Sequence, residues 1–457
     1  MIQEDTISAI STVIGESGIG IVRMSGENAI EIADKILRLV SGKKLIDVCD
    51  RSVNFGKILD SDGNIIDEVI VLIMRSPRSY TKEDVVELQC HGGMAVLRKV
   101  LSRTLEEGAR LAERGEFTKR AFLNGRLDLS QAQAVLDVIQ AKTETALKIA
   151  EEKLSGKTTG EIYKLKQQIL DIISHIEALI DFPEDDIDDL SIDKIENDIK
   201  MVINGVNEVI EAETKGKILR DGIETAIIGK PNVGKSSLLN FLLKEEKAIV
   251  TDIPGTTRDI ITEYININGI PLKIIDTAGI HNSTDKIEKI GIDKTKTYIK
   301  KAALLLVLFD GSRKLDDEDM EIIELVKDKN AIILITKSDL PQVIDFNKIK
   351  IQCDKLELIP ISVKKEFGIN ELYKSILSQI KSMTNKMGFF NDVRELEILN
   401  RIKSHLEEAN QTLKFSTDID LISIDLRSAL QSLDELTGES VDEDIINEIF
   451  SKFCIGK

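Results

Sequence analysis

In the run TAIIGKPNVGKSSLLN (225–240), Gly229 and Gly234 are followed by Lys235 and Ser236, with an apolar stretch on either side. A strand entering Gly-x-x-x-x-Gly-Lys-Ser and a helix leaving it lets backbone amides curl around a β-phosphate, while a lysine reaches the β and γ oxygens and a hydroxyl ligates Mg²⁺. The predicted phosphate cradle is Asn232, Val233, Gly234, Lys235, Ser236 and Ser237. Within it Lys235 is the group expected to stabilise charge in the reaction, and Ser236 is a Mg²⁺ ligand.

Further segments follow in the order a GTPase requires. TDIPGTTRD (251–259) carries Thr251, Asp252, Ile253, Pro254, Gly255, Thr256 and Thr257, and offers Thr257 as the switch threonine for Mg²⁺ and the γ-phosphate. KIIDTAG (273–279) places Asp276 at a strand end, to hold Mg²⁺ through water, with Thr277, Ala278 and Gly279 after it. LITKSDL (334–340) ends a buried strand in Thr336, Lys337 and Asp339. A carboxylate at 339 can accept both the N1–H and the 2-amino protons of guanine, whereas adenine offers neither and would leave it unpaired. Thr336 departs from the usual Asn and supplies a hydroxyl without an amide, which predicts weaker base affinity with the choice of guanine kept. ISVKK (361–365) resembles a second base-contacting loop, with Ser362, Val363 and Lys364. These ordered motifs predict a P-loop GTPase.

The residue after Gly279 is Ile280, where Ras-type proteins have the glutamine that orients the attacking water. An apolar side chain cannot do that. Glu288 is a candidate for the role. Asn232 is a candidate to give its amide oxygen to a monovalent cation in the place an arginine finger would reach. A helix-surface charge and a turn former are the competing readings of these two residues.

The elements that must position this chemistry belong to a 457-residue chain, long enough for several cores. Its 42% hydrophobic and 31% charged content is that of a globular protein. The run AALLLVLF (302–309) is too short to cross a bilayer and reads as a buried strand. Four scattered cysteines, never spaced as C-x-x-C, predict a reduced, cytoplasmic chain without a zinc site. A net charge of −18 disfavours non-specific binding of nucleic acid by this chain alone. The mixed run KIEKIGIDKTKTYIKK (286–301) reads as a solvated helix face, and the acidic DFPEDDIDDL (181–190) as a solvated loop without EF-hand spacing.

Three textures alternate along the chain. Residues 1–120 mix strands (GIGIVRMSG, and VNFGKILDSDGNIIDEVIVLIM around a turn) with amphipathic helices (ENAIEIADKILRLV, and 94–107), an α+β pattern. From 121 to 215 strands disappear: Ile162, Leu165, Ile169, Ile173, Ile176 and Ile180 form one helical stripe, and a helix is expected to start at a Ser130 cap reciprocated by Gln133, with Gly156 as a stop. Residues 216–380 are α/β. Helical spacing returns over 381–457, with Val393, Leu396, Leu399, Ile402 and Leu406 and then Leu426, Ala429, Leu430 and Leu433. Neither helical stretch is large enough for a core of its own, so the two are expected to pack together with the α/β block inserted between them.

The stretches GIGIVRMSG, EDVVELQCHGG, GEFTKRAFLNGRLDLSQAQAV, DFPEDDI, GKPNVGKSSLLN, VTDIPGTTRD, IIDTAGI, EKIGI and the terminal FCIGK resemble those of the MnmE (TrmE) tRNA-modification GTPases along essentially the whole chain. The resemblance implies an α/β plus α multidomain protein: an N-terminal folate-binding domain that makes a homodimer, a helical domain, and an inserted Ras-like GTPase domain. It implies a K⁺-stimulated GTPase that, with an FAD-containing MnmG partner, adds an aminomethyl-type group to C5 of the wobble uridine of certain tRNAs, the carbon coming from 5-formyl- or 5,10-methylene-tetrahydrofolate. It also implies that Asn232, Thr251, Ile253 and Thr256 surround K⁺, that Glu288 orients the water, and that Arg23, Glu87, Arg126 and Lys457 meet folate. Arg126 stands where the family often has Lys.

The tail SKFCIGK places Cys454 fourth from the end, but Gly456 and Lys457 fail a prenylation box, which removes a membrane-tethered reading. By the resemblance the tail turns inward to the folate site, with Cys454 beside the modification chemistry; a cysteine there is otherwise a small buried hydrophobe. His91 in CHGG reads as a turn or core histidine. The alternative function is a regulatory GTPase acting in ribosome assembly, against which the tail and the set Arg23, Glu87 and Arg126 speak.

Overall fold

The structure is a computed structural model that describes residues 5–181, 192–245, 263–275, 297, 299–353, 355–384, 394–415 and 419–457. The acidic run expected as a loop, from 182 on, and the run 286–301 apart from 297 and 299–301, lie outside the described residues.

The chain opens with β1 (Ile7–Ile10), β2 (Gly20–Ser25), α1 (Ala29–Ile36), β3 (Leu37–Leu39), β4 (Val53–Leu59), β5 (Ile65–Met74), β6 (Val85–Cys90), α2 (Met94–Glu106) and β7 (Arg110–Leu111). These strands form one sheet in the order β3-β4-β5-β6-β2-β1-β7, antiparallel except for the β1–β7 pair. Val22, Met24, Val71, Ile73, Val86 and Leu88 point to one face and are sealed by Ile32, Ile36, Leu97 and Val100 from the two helices. The helix expected from ENAIEIADKILRLV ends early: Leu37–Leu39 pairs with β4 as an edge strand, with Leu37 and Leu39 buried. Alternation of burial fits a pleated strand, and three residues of it override the helical spacing.

Helices then take over: α3 (Glu116–Leu123), α4 (Leu129–Gln140), α5 (Glu144–Leu154), α6 (Lys157–Asp181) and α7 (Ile192–Asp221). The cap of α4 is Asp128, whose carboxylate accepts from the amide of Gln131 while the Gln131 side chain reaches back to the amide of Asp128. The helix therefore starts one residue before Ser130, the expected cap, which is buried inside it. Both pairings have the same spacing, and the ionised acceptor makes the stronger bond to a helix N-terminus.

The inserted block is β8 (Ile223–Ile228), α8 (Lys235–Glu245), β9 (Glu263–Ile267), β10 (Ile270–Ile274), β11 (Leu304–Asp310), α9 (Asp317–Val326), β12 (Ala331–Thr336), α10 (Phe346–Gln352), β13 (Glu357–Pro360) and α11 (Ile369–Thr384). Its sheet runs β13-β12-β11-β8-β10-β9, parallel apart from the β9–β10 hairpin. β11 and β12 are buried at every residue, as their unbroken apolar runs require when helices cover both faces.

Three helices close the chain, α12 (Arg394–Phe415), α13 (Ile419–Thr437) and α14 (Glu443–Ser451). The stripe Ile162, Leu165, Ile169, Ile173 and Ile176 of α6 meets Ile199 and Val202 of α7, Leu399, Ile402 and Leu406 of α12, and Leu426, Ala429 and Leu433 of α13 in one core. Helices on both sides of the inserted block thus share their burial. Ile180, expected in this stripe, is 41% exposed at the end of α6, beyond the reach of its partners.

Candidate functional site

β8 delivers the chain to the phosphate loop. It lies between β11 and β10, so residues 229–234 sit at its carboxyl end where the strand order reverses, the place at which open α/β sheets bind ligands. Gly229 has a φ of 153°, and a Cβ there would come within 2.6 Å of the Leu308 carbonyl oxygen, so the turn admits no side chain. Asn232 holds a left-handed φ of 63° and is exposed on the loop. The Lys235 ammonium donates to the carbonyls of Gly229 and Lys230, both at 2.7 Å. Its burial pulls the amine below its ordinary pKa. The cation is already folded into the loop, and α8, opening at Lys235, brings its first turn, with the half-buried Ser236, to the end of that loop.

The base-recognition end is assembled from β12 and the loop after β13. Thr336, the last residue of β12, is buried, and its Oγ1 lies 2.7 Å from the Val233 carbonyl oxygen and 3.1 Å from that of Phe309. Lys337 has a φ of 56° and puts its Nζ 2.6 Å from Oδ2 of Asp310, the last residue of β11. The Ser362 hydroxyl donates to Oδ1 of the exposed Asp339 at 2.7 Å, and this bond holds the Asp339 carboxyl below its usual range. It therefore stays an ionised acceptor, as recognition of two guanine protons requires. Val233 is buried, Ser237 and Lys364 are exposed, and Val363 and Lys364 lie in a short helical turn, Val363–Lys365. Thr251, Asp252, Ile253, Pro254, Gly255, Thr256, Thr257, Asp276, Thr277, Ala278, Gly279 and Glu288 lie outside the described residues.

A second constellation forms where the C-terminal tail returns to the first sheet. Arg23 on β2 and Glu87 on β6 are register partners, and Nε of Arg23 lies 2.8 Å from Oε1 of Glu87. Nη1 of Arg23 donates to the Gly456 carbonyl at 3.3 Å, and the guanidinium lies 5.6 Å from the centre of the Phe117 ring. Gly456 has a φ of 90°, and a Cβ would meet the Ile10 carbonyl oxygen at 2.4 Å, so the tail closes on β1 only with glycine there. Ile455 bridges Arg114, and the Gly115 amide donates to the Cys454 carbonyl. The Arg126 guanidinium lies 4.7 Å from the centre of the Tyr80 ring, and the Tyr80 hydroxyl is 3.0 Å from that of Thr118, next to Phe117. Arg23, Glu87 and the tail meet directly, and Arg126 joins them through this aromatic patch. Lys457 is half-buried and Cys454 exposed.

Tyr80, Phe117 and Gly456 were not legible as members of this group. They come from separate elements, and no spacing in the sequence links them. His91 is not a core histidine: it is exposed, with Nδ1 2.7 Å from Oδ1 of Asp67, whose Oδ2 accepts from the His91 amide. Cys90 beside it is buried, which pushes its thiol up to about 12 and keeps it protonated.

A phosphate loop could serve either purine nucleotide. The carboxylate of Asp339, fixed by the serine of a second loop, is an acceptor that matches the two donors of guanine and neither edge of adenine, and the inserted block is that of a P-loop GTPase. The profile described as MnmE helical domain matches residues 129–454, and that described as GTP-binding protein TrmE N-terminus matches residues 6–126. Proteins named tRNA modification GTPase MnmE are similar along the full chain: 44% identity in Alkaliphilus metalliredigens, covering 100% of both chains. The relative in Finegoldia magna is 46% identical over 99% of this chain and 100% of its own. The relative in Thermoanaerobacter pseudethanolicus is 46% identical over 99% of each. The chain belongs to the MnmE family of tRNA modification GTPases. Its fold is accordingly multidomain: an N-terminal α+β part, a helical domain and a Ras-like P-loop GTPase domain. Among the described residues no helix is long and apolar enough to cross a membrane.

Proposed function

We propose that this chain is a K⁺-stimulated GTPase which, as a homodimer working with an MnmG-type FAD protein, installs an aminomethyl-type group on C5 of the wobble uridine of certain tRNAs in the cytoplasm. The division at 1–120, 121–215, 216–380 and 381–457 is part of this reading. The observation that carries it is the return of the tail: Arg23 grips the Gly456 carbonyl while paired to Glu87, so residues more than 430 positions apart converge on one sheet. The similarity to tRNA modification GTPases along the full chain favours this reading over a GTPase acting in ribosome assembly.

In this reading Arg23, Arg126 and Lys457 offer cationic donors to the glutamate carboxylates and ring edge of a folate, and Glu87 an acceptor to its ring nitrogens. The half-buried Tyr80 ring beside Arg126 suits a flat ring. The folate supplies the one-carbon unit when bound, and Cys454 lies close enough in the chain to bear on that chemistry. At the other site Ser236 and Thr257, with Asp276 through water, hold Mg²⁺. Asn232, with Thr251, Ile253 and Thr256, holds K⁺, and Glu288 orients the attacking water. The left-handed Asn232 fits this role, because it places a side-chain amide at the exposed tip of the phosphate loop where a shared cation can be reached. Deleting Lys457 is expected to weaken 5-formyl-tetrahydrofolate at least about tenfold in titration calorimetry, the scale of a lost charge-assisted contact. Unchanged folate affinity would remove the tail from the site.

A further inference from the structure

Thr336 stands where an asparagine is usual, and the structure shows what its hydroxyl does. A hydroxyl has one hydrogen to give. Two carbonyl oxygens are within reach of Oγ1, Val233 at 2.7 Å and Phe309 at 3.1 Å, and the shorter is at the most common length for such a bond. Thr336 is 4% exposed, so water does not compete for that hydrogen. Its methyl packs beside the phosphate loop as well: a Cβ on Gly234 would lie 4.0 Å from Cγ2 of Thr336. From the other side Gly311 donates its amide to the Thr336 carbonyl at 3.0 Å. One residue therefore joins the phosphate loop, the end of β11 and the strand that leads to Asp339.

We propose that Thr336 is a positioning residue that ties the phosphate loop to the base-recognition loop through the Val233 carbonyl, and that it makes no contact with the N7 edge of guanine. N7 and O6 of guanine are acceptors. The single hydroxyl hydrogen of Thr336 is committed to the backbone, so nothing remains to donate to them. An asparagine has two amide hydrogens and can serve the loop and the base together. The chain keeps the architectural half of this residue's work and forgoes the half that reads the base. Of the side chains at the end of β12, Asp339 alone is then left to read the base, on its opposite edge. This deepens the assignment of Asp339 above and rests on it.

The test compares GDP with 7-deaza-GDP, which lacks the N7 acceptor, in titration calorimetry on the full chain. The wild type binds the two within about twofold. Thr336→Asn binds GDP about fivefold more tightly, the scale of one added hydrogen bond, and loses that gain with 7-deaza-GDP. Thr336→Val leaves the Val233 carbonyl without its donor and speeds GDP release about fivefold or more, whereas Thr336→Ser restores the wild-type rate. A wild type that binds 7-deaza-GDP fivefold or more weakly than GDP overturns the proposal while leaving Asp339 in place. A wild type that binds xanthosine diphosphate as well as GDP removes the Asp339 reading, and the proposal falls with it. Equal GDP release from the Val and Ser variants overturns the tether.

Discussion

At the scale of single residues, the phosphate loop was readable because each contribution follows from residue type at fixed local spacing. Gly229 must be glycine because a Cβ would strike the Leu308 carbonyl, and Lys235 is already turned into the loop it serves. Thr336 was readable as a departure, but not its consequence: which carbonyl takes its proton depends on Val233, about a hundred positions away and on another element. Asn232 carries the sharpest residue-scale prediction. If its amide oxygen coordinates K⁺, GTP turnover by the wild type rises at least about tenfold when Na⁺ is replaced by K⁺, and Asn232→Ala turns over GTP at one low rate in both salts. A charge placed on the developing transition state is worth several kcal/mol, so an effect of this size is readily measured in a phosphate-release assay. Equal wild-type rates in the two salts would remove the cation from the account.

Elements were legible where periodicity dominates and obscure where two local rules compete. The α6 stripe and the runs of β11 and β12 each follow from one pattern, and the structure buries them accordingly. The α4 cap turned on acid against hydroxyl at equal spacing, and Leu37–Leu39 on pairing with a distant strand. Least legible was the charge cluster where α7 leads into β8 and α12 begins. There Lys153 of α5 lies 2.8 Å from Glu395 of α12 and 3.1 Å from Glu213 of α7. Asp137 of α4 takes Arg220 of α7 at 3.3 Å alongside. Four helices contribute, so no window of sequence holds the group. Burial is the chief cause that pushes the Glu213 carboxyl up to about 7, while the close ammonium of Lys153 keeps Glu395 ionised. The unfolded Glu213 ionises near the ordinary carboxylate value, whereas the folded one holds its proton to about 7. Its contribution to stability is therefore full below the ordinary value and is lost as pH rises to about 7, by on the order of 3 kcal/mol for the group taken alone. Glu213→Gln cannot ionise and keeps the shape. Thermal melts should show the variant gaining on the wild type between pH 5 and pH 8; parallel curves would mean that Glu213 is ionised throughout.

For the whole molecule, the consequence of the fold is that its ends meet. β1 begins the first sheet, and the tail, carried back by α14 through the packing of Ile446, Ile449, Phe450 and Phe453 on Leu129 and Ala132, closes on Ile10 and Arg23. The inserted GTPase is joined through α7 and α12, which share one core with α6 and α13, and α4 packs against those last two helices. Nucleotide and tail sites thus stand on one continuous scaffold. The family assignment came from matches along the full length, and composition alone gave no hint of a folate or a tRNA. The measurement that tests the central claim most directly is mass spectrometry of tRNA nucleosides from cells lacking this chain and from cells in which it is restored. The C5-modified wobble uridine is expected to disappear on deletion, return with the wild type, and fail to return with Arg23→Ala. Wobble uridine modified to the same extent in all three strains would contradict that claim.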